Sequence, residues 1–437
     1  MGARVRVLLS EGSSLSARES VTALGLAGFR VEVVDSNPLC LARFSRFCRR
    51  VHGAPAYGAD PAGYLERIID LLTREHIDVL FPAHEQAFLF ARYSGALSRL
   101  THLALPDFEV FERMQSKVGF SSVLETLGLP APPTVIAKDE RTLRMAARVL
   151  PVYLKTAFGT ATRGVFLVRS AQEVQSALEA IRPVLVEGVL VQRPAQGQLE
   201  RAQAVFDRGR LVGFHACRQL AEGVGGGDLL KESARAPRVR EHFERIGSHL
   251  CWHGGLSLDY LIDAAGMPRY IDSNPRLAEI GNALAAGLNL PELLVQVSLG
   301  DHPAERRAGR AGARTFMGAQ ALLRAARDHG ARGVARTSID LALRRGPFSG
   351  ATEELTPATV DAPSLLPLAA LALALVSRPS LWKRLSAAAI DAYAATPRVL
   401  EFIRRAESAC PEADRAANRT DHHDRRTSTG LDTQPSR

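Results

Sequence analysis

The chain has 437 residues, 46% of them apolar and 23% charged, with a formal net charge of +9. That length and apolar content exclude a fibrous or wholly disordered protein and leave room for two or three domain cores. Only five of the 55 basic residues are lysine, the arginines are scattered, and no nucleic-acid-binding motif accompanies them. The charge therefore reads as solvated surface, and no nucleic-acid partner is expected.

The amino-terminal stretch MGARVRVLLSEGSS turns polar after one short apolar strand, without a signal-peptide layout. The five cysteines stand at unrelated spacings and form no CxxC pair. Both features predict a reducing, cytoplasmic location. Strands over residues 5–9, 31–34 and 78–81, with helices over 16–27 and 64–75, predict a small α/β domain spanning 1–114. Its first turn reads SEGSSLSA rather than GxGxxG, so the backbone cannot approach a pyrophosphate closely. Asp35 stands where a dinucleotide fold keeps its ribose acid, but a scaffold role is expected of this domain.

Two lysines follow. Lys117 lies in MQSKVGFSSVLETLGLPAPPTVI, ahead of a helix, and Lys155 ends the apolar strand VYLK. In an arginine-rich chain a retained lysine either performs a task closed to a guanidinium or simply survives; Lys138, Lys231 and Lys383 read as survivors. After Lys155 comes TAFGTATRGVFLV, in which Gly159, Thr160, Ala161, Thr162 and Gly164 would let backbone N–H groups close over phosphate oxygens. The lysine precedes the glycines, so this is no Walker A loop, and a plain hairpin loop would read the same way.

Residues 191–300 predict a largely antiparallel sheet with turns at 207–209 and 263–266. In LDYLIDAAGMPRYIDSNPR, alternation puts Leu258, Tyr260 and Ile262 on one face and Asp259 and Asp263 on the other. The same rule puts Tyr270, Asp272 and Asn274 on a shared face, with Asp259 opposite Asp272. Two carboxylates and a carboxamide suit Mg²⁺, or Mn²⁺ in its place, and without a cation the two acids would repel. Arg276, two residues past Asn274, has the fork to hold a substrate carboxylate. Arg218, at a strand end, is either a phosphate contact or an exposed charge, and the charge is expected. His215 and His253, alone on apolar strands, read as structural.

Beyond 300 the pattern weakens. The run LLPLAALALALV over 365–376 is too short to cross a bilayer, for which about 20 residues are needed. A core helix is expected; Arg378, Trp382, Lys383 and Arg384 after it would also suit a membrane-surface contact through 365–384. From 408 onward the chain is polar and expected to be disordered, with His422 and His423 part of that tail.

In this order the motifs resemble the ATP-grasp superfamily, in particular carboxylate–amine ligases and the large subunit of carbamoyl-phosphate synthase. Lys117 resembles the family's first nucleotide-binding lysine, and Lys155 with its loop resembles the phosphate-binding strand and flexible loop. The strand VLVQRP, ending in Gln192, Arg193 and Pro194, is similar to the segment that joins the two lobes and meets the adenine; Gly197 follows in a short turn. Asp259, Asp272 and Asn274 match the magnesium ligands, and Asn274-Pro275-Arg276 resembles the terminal E-x-N-P-R. Asp272 departs from the usual Glu, and Pro194 from an aromatic or apolar residue.

The resemblance covers about residues 1–300. It implies a mixed α/β and α+β fold: a Rossmann-like pre-ATP-grasp domain (1–114), a two-lobed grasp (115–190 and 191–300), a mostly helical extension (301–407) and a tail (408–437). It implies an ATP-dependent ligase that uses Mg²⁺, activates a carboxylate as an acyl phosphate and joins it to an amine or ammonia, with Arg276 and Arg218 at the reacting groups. Its partners would be small-molecule carboxylates and amines, and a homodimer is compatible with it. The rival of the same fold is an ATP-binding regulatory protein of weak turnover; a nicotinamide oxidoreductase lacks its glycine fingerprint.

Overall fold

The computed structural model describes residues 4–159, 163–305, 308–391 and 394–409. The amino-terminal unit is a parallel sheet of β1 (Arg6–Leu9), β2 (Arg30–Asp35), β3 (Cys48–Gly53) and β4 (Val79–Phe81) in the order β3-β2-β1-β4. Ser14 and Asp60 cap the helices Leu15–Leu26 and Pro61–Glu75 by accepting from Ala17 N and Gly63 N. β3 escapes a periodicity reading because Cys48, Arg49 and Arg50 look like a charged loop. In the first turn Glu11 accepts from Ser13 N and Ser14 N, at 2.7 and 2.8 Å. Asp35 accepts from Gly12 N at 2.9 Å and Ser13 Oγ at 2.8 Å. The amides that a pyrophosphate would need are thus already taken by carboxylates.

A small lobe follows, with β5 (Thr134–Ala137), β6 (Val152–Thr156), β7 (Val165–Val168) and β8 (Val189–Gln192) in the order β5-β8-β6-β7. Ala137, Leu154, Leu178 and Val191 belong to a core of its own, closed by the helices Glu140–Ala146 and Ala171–Ile181. A separate core lets a lobe move as a unit.

The large sheet contains β9 (Gln198–Asp207), β10 (Arg210–Glu222), β11 (Asp228–Ser233), β12 (Gly254–Ile262), β13 (Pro268–Asn274), β14 (Arg314–Phe316) and β15 (Thr352–Glu353). Their order is β13-β12-β9-β10-β11-β14-β15. Its last two strands come from beyond residue 300, so part of the expected extension completes this sheet. The sheet shares cores with the amino-terminal unit: Phe206, Phe243 and Trp252 with Phe88 and Phe111, and Val205 and Val212 with Val7 and Leu24.

The apolar run forms the helix Leu365–Ser377, packed beside Gly318–Ala342, but of its residues only Leu375 is buried. Leu366 and Leu373 are 61% and 70% exposed, so the expected core helix covers one face only. No described helix is long and apolar enough to cross a membrane. The helix Pro397–Ala409 docks on the amino-terminal unit through Val399 and Ile403, with Phe402 stacked on Tyr93. Its Arg404 meets both oxygens of Glu187 in the small lobe, at 3.0 and 2.9 Å. His422 and His423 lie outside the described residues.

Candidate active site

The β12–β13 hairpin pairs Asp259 with Asp272 and Ser257 with Asn274, which puts all three oxygen-bearing side chains on one face. The face is reached by a different route from simple alternation. Tyr260 pairs with Tyr270 while Asp259 pairs with Asp272, so Ile271 is an extra residue on β13. Tyr270 therefore lies on the core face with Tyr260, both nearly fully buried, and does not share the face of Asp272. The bulge turns Asp272 into the cleft.

Ser116 caps the helix Lys117–Thr126, which makes Lys117 its first residue. Its Nζ lies 3.3 Å from Asp272 Oδ1 and donates to Gly159 O at 3.2 Å. Lys155, near the end of β6, donates to Ile271 O at 3.0 Å. Burial lowers the Lys155 pKa, while Asp272 and Asp259 pull it back up and Lys117 adds to the fall. Both lysines thus span the cleft between the lobes. Gly159 and Gly164 are required in the loop, because a Cβ would come within 2.1 Å of Arg163 O or of Thr156 Oγ1. Thr160 and Thr162 lie outside the described residues. In the joining segment, Gln192 donates to Thr134 Oγ1 at 3.0 Å and Arg193 N to Pro133 O at 2.9 Å. Pro194 is exposed at the strand end. Gly197 (φ +145°) runs so close to Ile262 O that a Cβ would come within 2.1 Å.

The floor of the cleft is a charge network that the sequence did not announce. Arg201, paired with Asp259 across β9 and β12, lies 3.4 Å from Asp259 Oδ1, 3.7 Å from Glu279 Oε1 and in contact with Asp228. Burial works against the Arg201 charge, but Asp259, Glu279 and Asp228 outweigh it and raise its pKa. Burial pushes Asp259 up to about 6, against Arg201 and with help from Asp272, Glu279 and Asp228. Lys231, far from being a surface survivor, is 1% exposed and meets Glu279 at 2.5 Å and Glu354 at 2.8 Å. Glu354 is pushed up to about 7 by burial, with Lys231 opposing. Only the arginine-rich background, in which a lysine stands out, hinted at Lys231. Asp228, at the end of a glycine run, and Glu279 carried no signal of their own.

Arg276 joins this face. Its Nη2 lies 3.3 Å from His84 Nε2 and 3.4 Å from Glu85 Oε1, and Gln115 holds the other Glu85 oxygen at 2.6 Å. Arg218 is not brought here: it is half exposed on the opposite face of the sheet, paired with Glu232. Strand alternation from Cys217, which neighbours Arg201, puts it there. His215 is buried against Asn282 Oδ1 at 2.9 Å, and His253 Nδ1 accepts from Arg208 N at 3.3 Å. Among the described residues no group of three His, Cys, Asp or Glu side chains could hold a metal ion. The candidate set is two carboxylates and an amide, 24% and 32% exposed at Asp259 and Asp272.

No protein-family profile matches the chain. Over 307 residues it is 24% identical to the carbamoyl phosphate synthase large chain of Thermus thermophilus, covering 63% of this chain and 29% of that one. The chain thus spans under a third of the length of that relative. The biotin carboxylase domain of Hydrogenobacter thermophilus 2-oxoglutarate carboxylase, solved with MgADP, ADP and bicarbonate, superposes with a TM-score of 0.58 at 18% identity. That match covers 71% of this chain and 74% of the other. The N5-carboxyaminoimidazole synthetase of Staphylococcus aureus, complexed with ADP, gives 0.57 at 13% identity over 74% and 85% of the two chains. At these identities the likeness is one of fold.

Proposed function

The chain has the ATP-grasp fold, and on that premise we propose that it is an ATP-dependent ligase that activates a carboxylate as an acyl phosphate and joins it to an amine or ammonia. The observation that carries this reading is the convergence of Lys117 and Lys155 on Asp272 and the Ile271 carbonyl, between two separately cored lobes. Two compact cations beside two carboxylates match the charge of a nucleotide triphosphate and a divalent ion.

A carboxylate is a poor electrophile. In the first step the bond from the γ-phosphorus to ADP breaks as one forms to a carboxylate oxygen, giving ADP and an acyl phosphate. In the second the amine nitrogen bonds to the acyl carbon, phosphate leaves, and the amine proton passes to solvent. Lys117 and Lys155 neutralise the phosphate oxygens, and the backbone around Gly159 and Gly164 closes over them. Asp259, Asp272 and Asn274 would hold Mg²⁺, which when bound adds positive charge at the transferring group. The donor set fits it, being all oxygen and short of a full cage, as an ion that keeps water and phosphate ligands requires. Arg276, steadied by Glu85, grips the substrate carboxylate.

Purified protein incubated with ATP, Mg²⁺ and pooled carboxylates and amines is expected to release ADP and phosphate in equal amounts, and only with a substrate pair present. Tight ATP binding without substrate-dependent ADP would replace this reading with a regulatory ATP-binding protein.

A further inference from the structure

Beside the metal face lies a chamber of about 180 Å³, walled by Ser14 and Ser16 of the amino-terminal unit and by Asp228, Arg276 and Glu279. A cavity of about 150 Å³ accepts a molecule the size of benzene, so this one suits a ligand of about six to nine non-hydrogen atoms.

The charges on its walls are unequally engaged. Asp228 has both oxygens taken, one by Arg201 and one by Gln219. Glu279 gives Oε2 to Lys231 at 2.5 Å, but among the described residues Oε1 has only the 3.7 Å approach of Arg201. Among the described residues Arg276 is likewise held by long contacts, to His84 and Glu85 at 3.3 and 3.4 Å. The chamber thus offers a guanidinium fork at one place and an under-used carboxylate oxygen at another. A plain carboxylic acid would satisfy the fork and leave Glu279 facing an apolar group. A plain amine would do the reverse. Either way Glu279 Oε1 or the guanidinium of Arg276 loses water without gaining a close partner, which offsets the ion pair formed at the other end.

We propose that this chamber takes a small zwitterionic amino acid, its carboxylate on Arg276 and its ammonium on Glu279. The proposal rests on the ligase reading of the same site: the end held by Arg276, two residues from Asn274, is the carboxylate to be activated. Lys231 acts as a positioning residue that fixes Glu279.

The test is calorimetric titration of the full chain with Mg²⁺ and a non-hydrolysable ATP analogue. The ligands are amino acids of up to about nine non-hydrogen atoms, the matching acids without the amine, and the matching amines without the carboxylate. At least one amino acid should bind, with both truncated counterparts at least about tenfold weaker. Glu279→Gln should weaken amino-acid binding by a similar factor and leave binding of the des-amino acid unchanged or improved. Should that variant not fold, the wild-type comparison alone decides. The proposal is overturned if no amino acid in the panel binds, or if a des-amino acid binds as tightly as its parent. ADP release, scored separately, keeps the two readings apart. Amino-acid binding without any ADP formation would remove the ligase and keep the chamber. ADP formation driven by a des-amino acid would keep the ligase and remove the chamber.

Discussion

Lys155 of the small lobe donates to the carbonyl oxygen of Ile271, the bulge residue of β13, at 3.0 Å. The same extra residue that turns Asp272 into the cleft therefore also presents the backbone acceptor that meets the lysine. One irregularity sets both halves of the candidate nucleotide site.

Lys155→Met keeps the length and removes the charge. It should weaken binding of an ATP analogue and lower turnover by roughly a hundredfold, the scale of one preorganised charge contact. Lys138→Met is the control, since Lys138 is exposed ahead of the helix Glu140–Ala146. Equal damage from both variants in an ADP-release assay would detach Lys155 from the site.

Mg²⁺ at the proposed site would need Asp259 ionised, and burial pushes that group up to about 6. Above that value the carboxylate is free to bind; below it the proton competes, so metal affinity falls as pH falls through about 6. Thermal shift with Mg²⁺ should be larger at neutral pH than at pH 5, by an amount that Asp259→Asn removes. Asp272→Asn should lower turnover at ordinary Mg²⁺ and recover in part at high Mg²⁺.

Lys231→Met leaves Glu279 buried without its main partner. Breaking such a pair costs about 3–5 kcal/mol, softened here because Glu354 is raised to about 7 and can take up a proton. Urea denaturation at pH 8 and pH 6 should show the larger loss at the higher pH, where Glu354 must stay charged. Equal losses at both would separate Lys231 from Glu354.

Gly197→Ala puts a Cβ against Ile262 O in the joining segment, at a backbone conformation that L side chains rarely adopt. A loss of roughly 1–3 kcal/mol is expected, together with slower turnover, since the segment between β8 and β9 joins the two lobes. Unchanged melting and unchanged ADP release would show that the segment tolerates a side chain.

The hairpin is legible in the sequence because strand alternation and a short turn need only local residues. The bulge is not, since nothing in YIDSN marks one residue as unpaired, and alternation alone therefore puts Tyr270 on the wrong face. Arg201, Asp228 and Glu279 are illegible for another reason. Each is unremarkable in its own strand or loop, and their chemistry exists only where β9, β11 and the segment after β13 meet. Arg218 divides its two readings: it is the expected strand-end charge, half exposed and paired with Glu232 on the opposite face of its sheet, and not the contact to the reacting groups that the resemblance implies. The small lobe, with its own apolar periodicity and its lysine, is readable in outline, as is the amino-terminal βαβ unit apart from β3.

Arg404, near the far end of the described chain, grips Glu187 with its full fork while Phe158 of the candidate phosphate loop stacks on Phe88 and lies beneath the same guanidinium. The last helix is rooted in the amino-terminal unit, so swinging the small lobe outward must either break these contacts or pull the helix from its seat. The last described helix and the candidate phosphate loop are mechanically geared to each other. A fluorophore attached to the helix Pro397–Ala409 would report a swing of the lobe through the cavity that Arg404 shares with Phe158, Gly159 and Gly164.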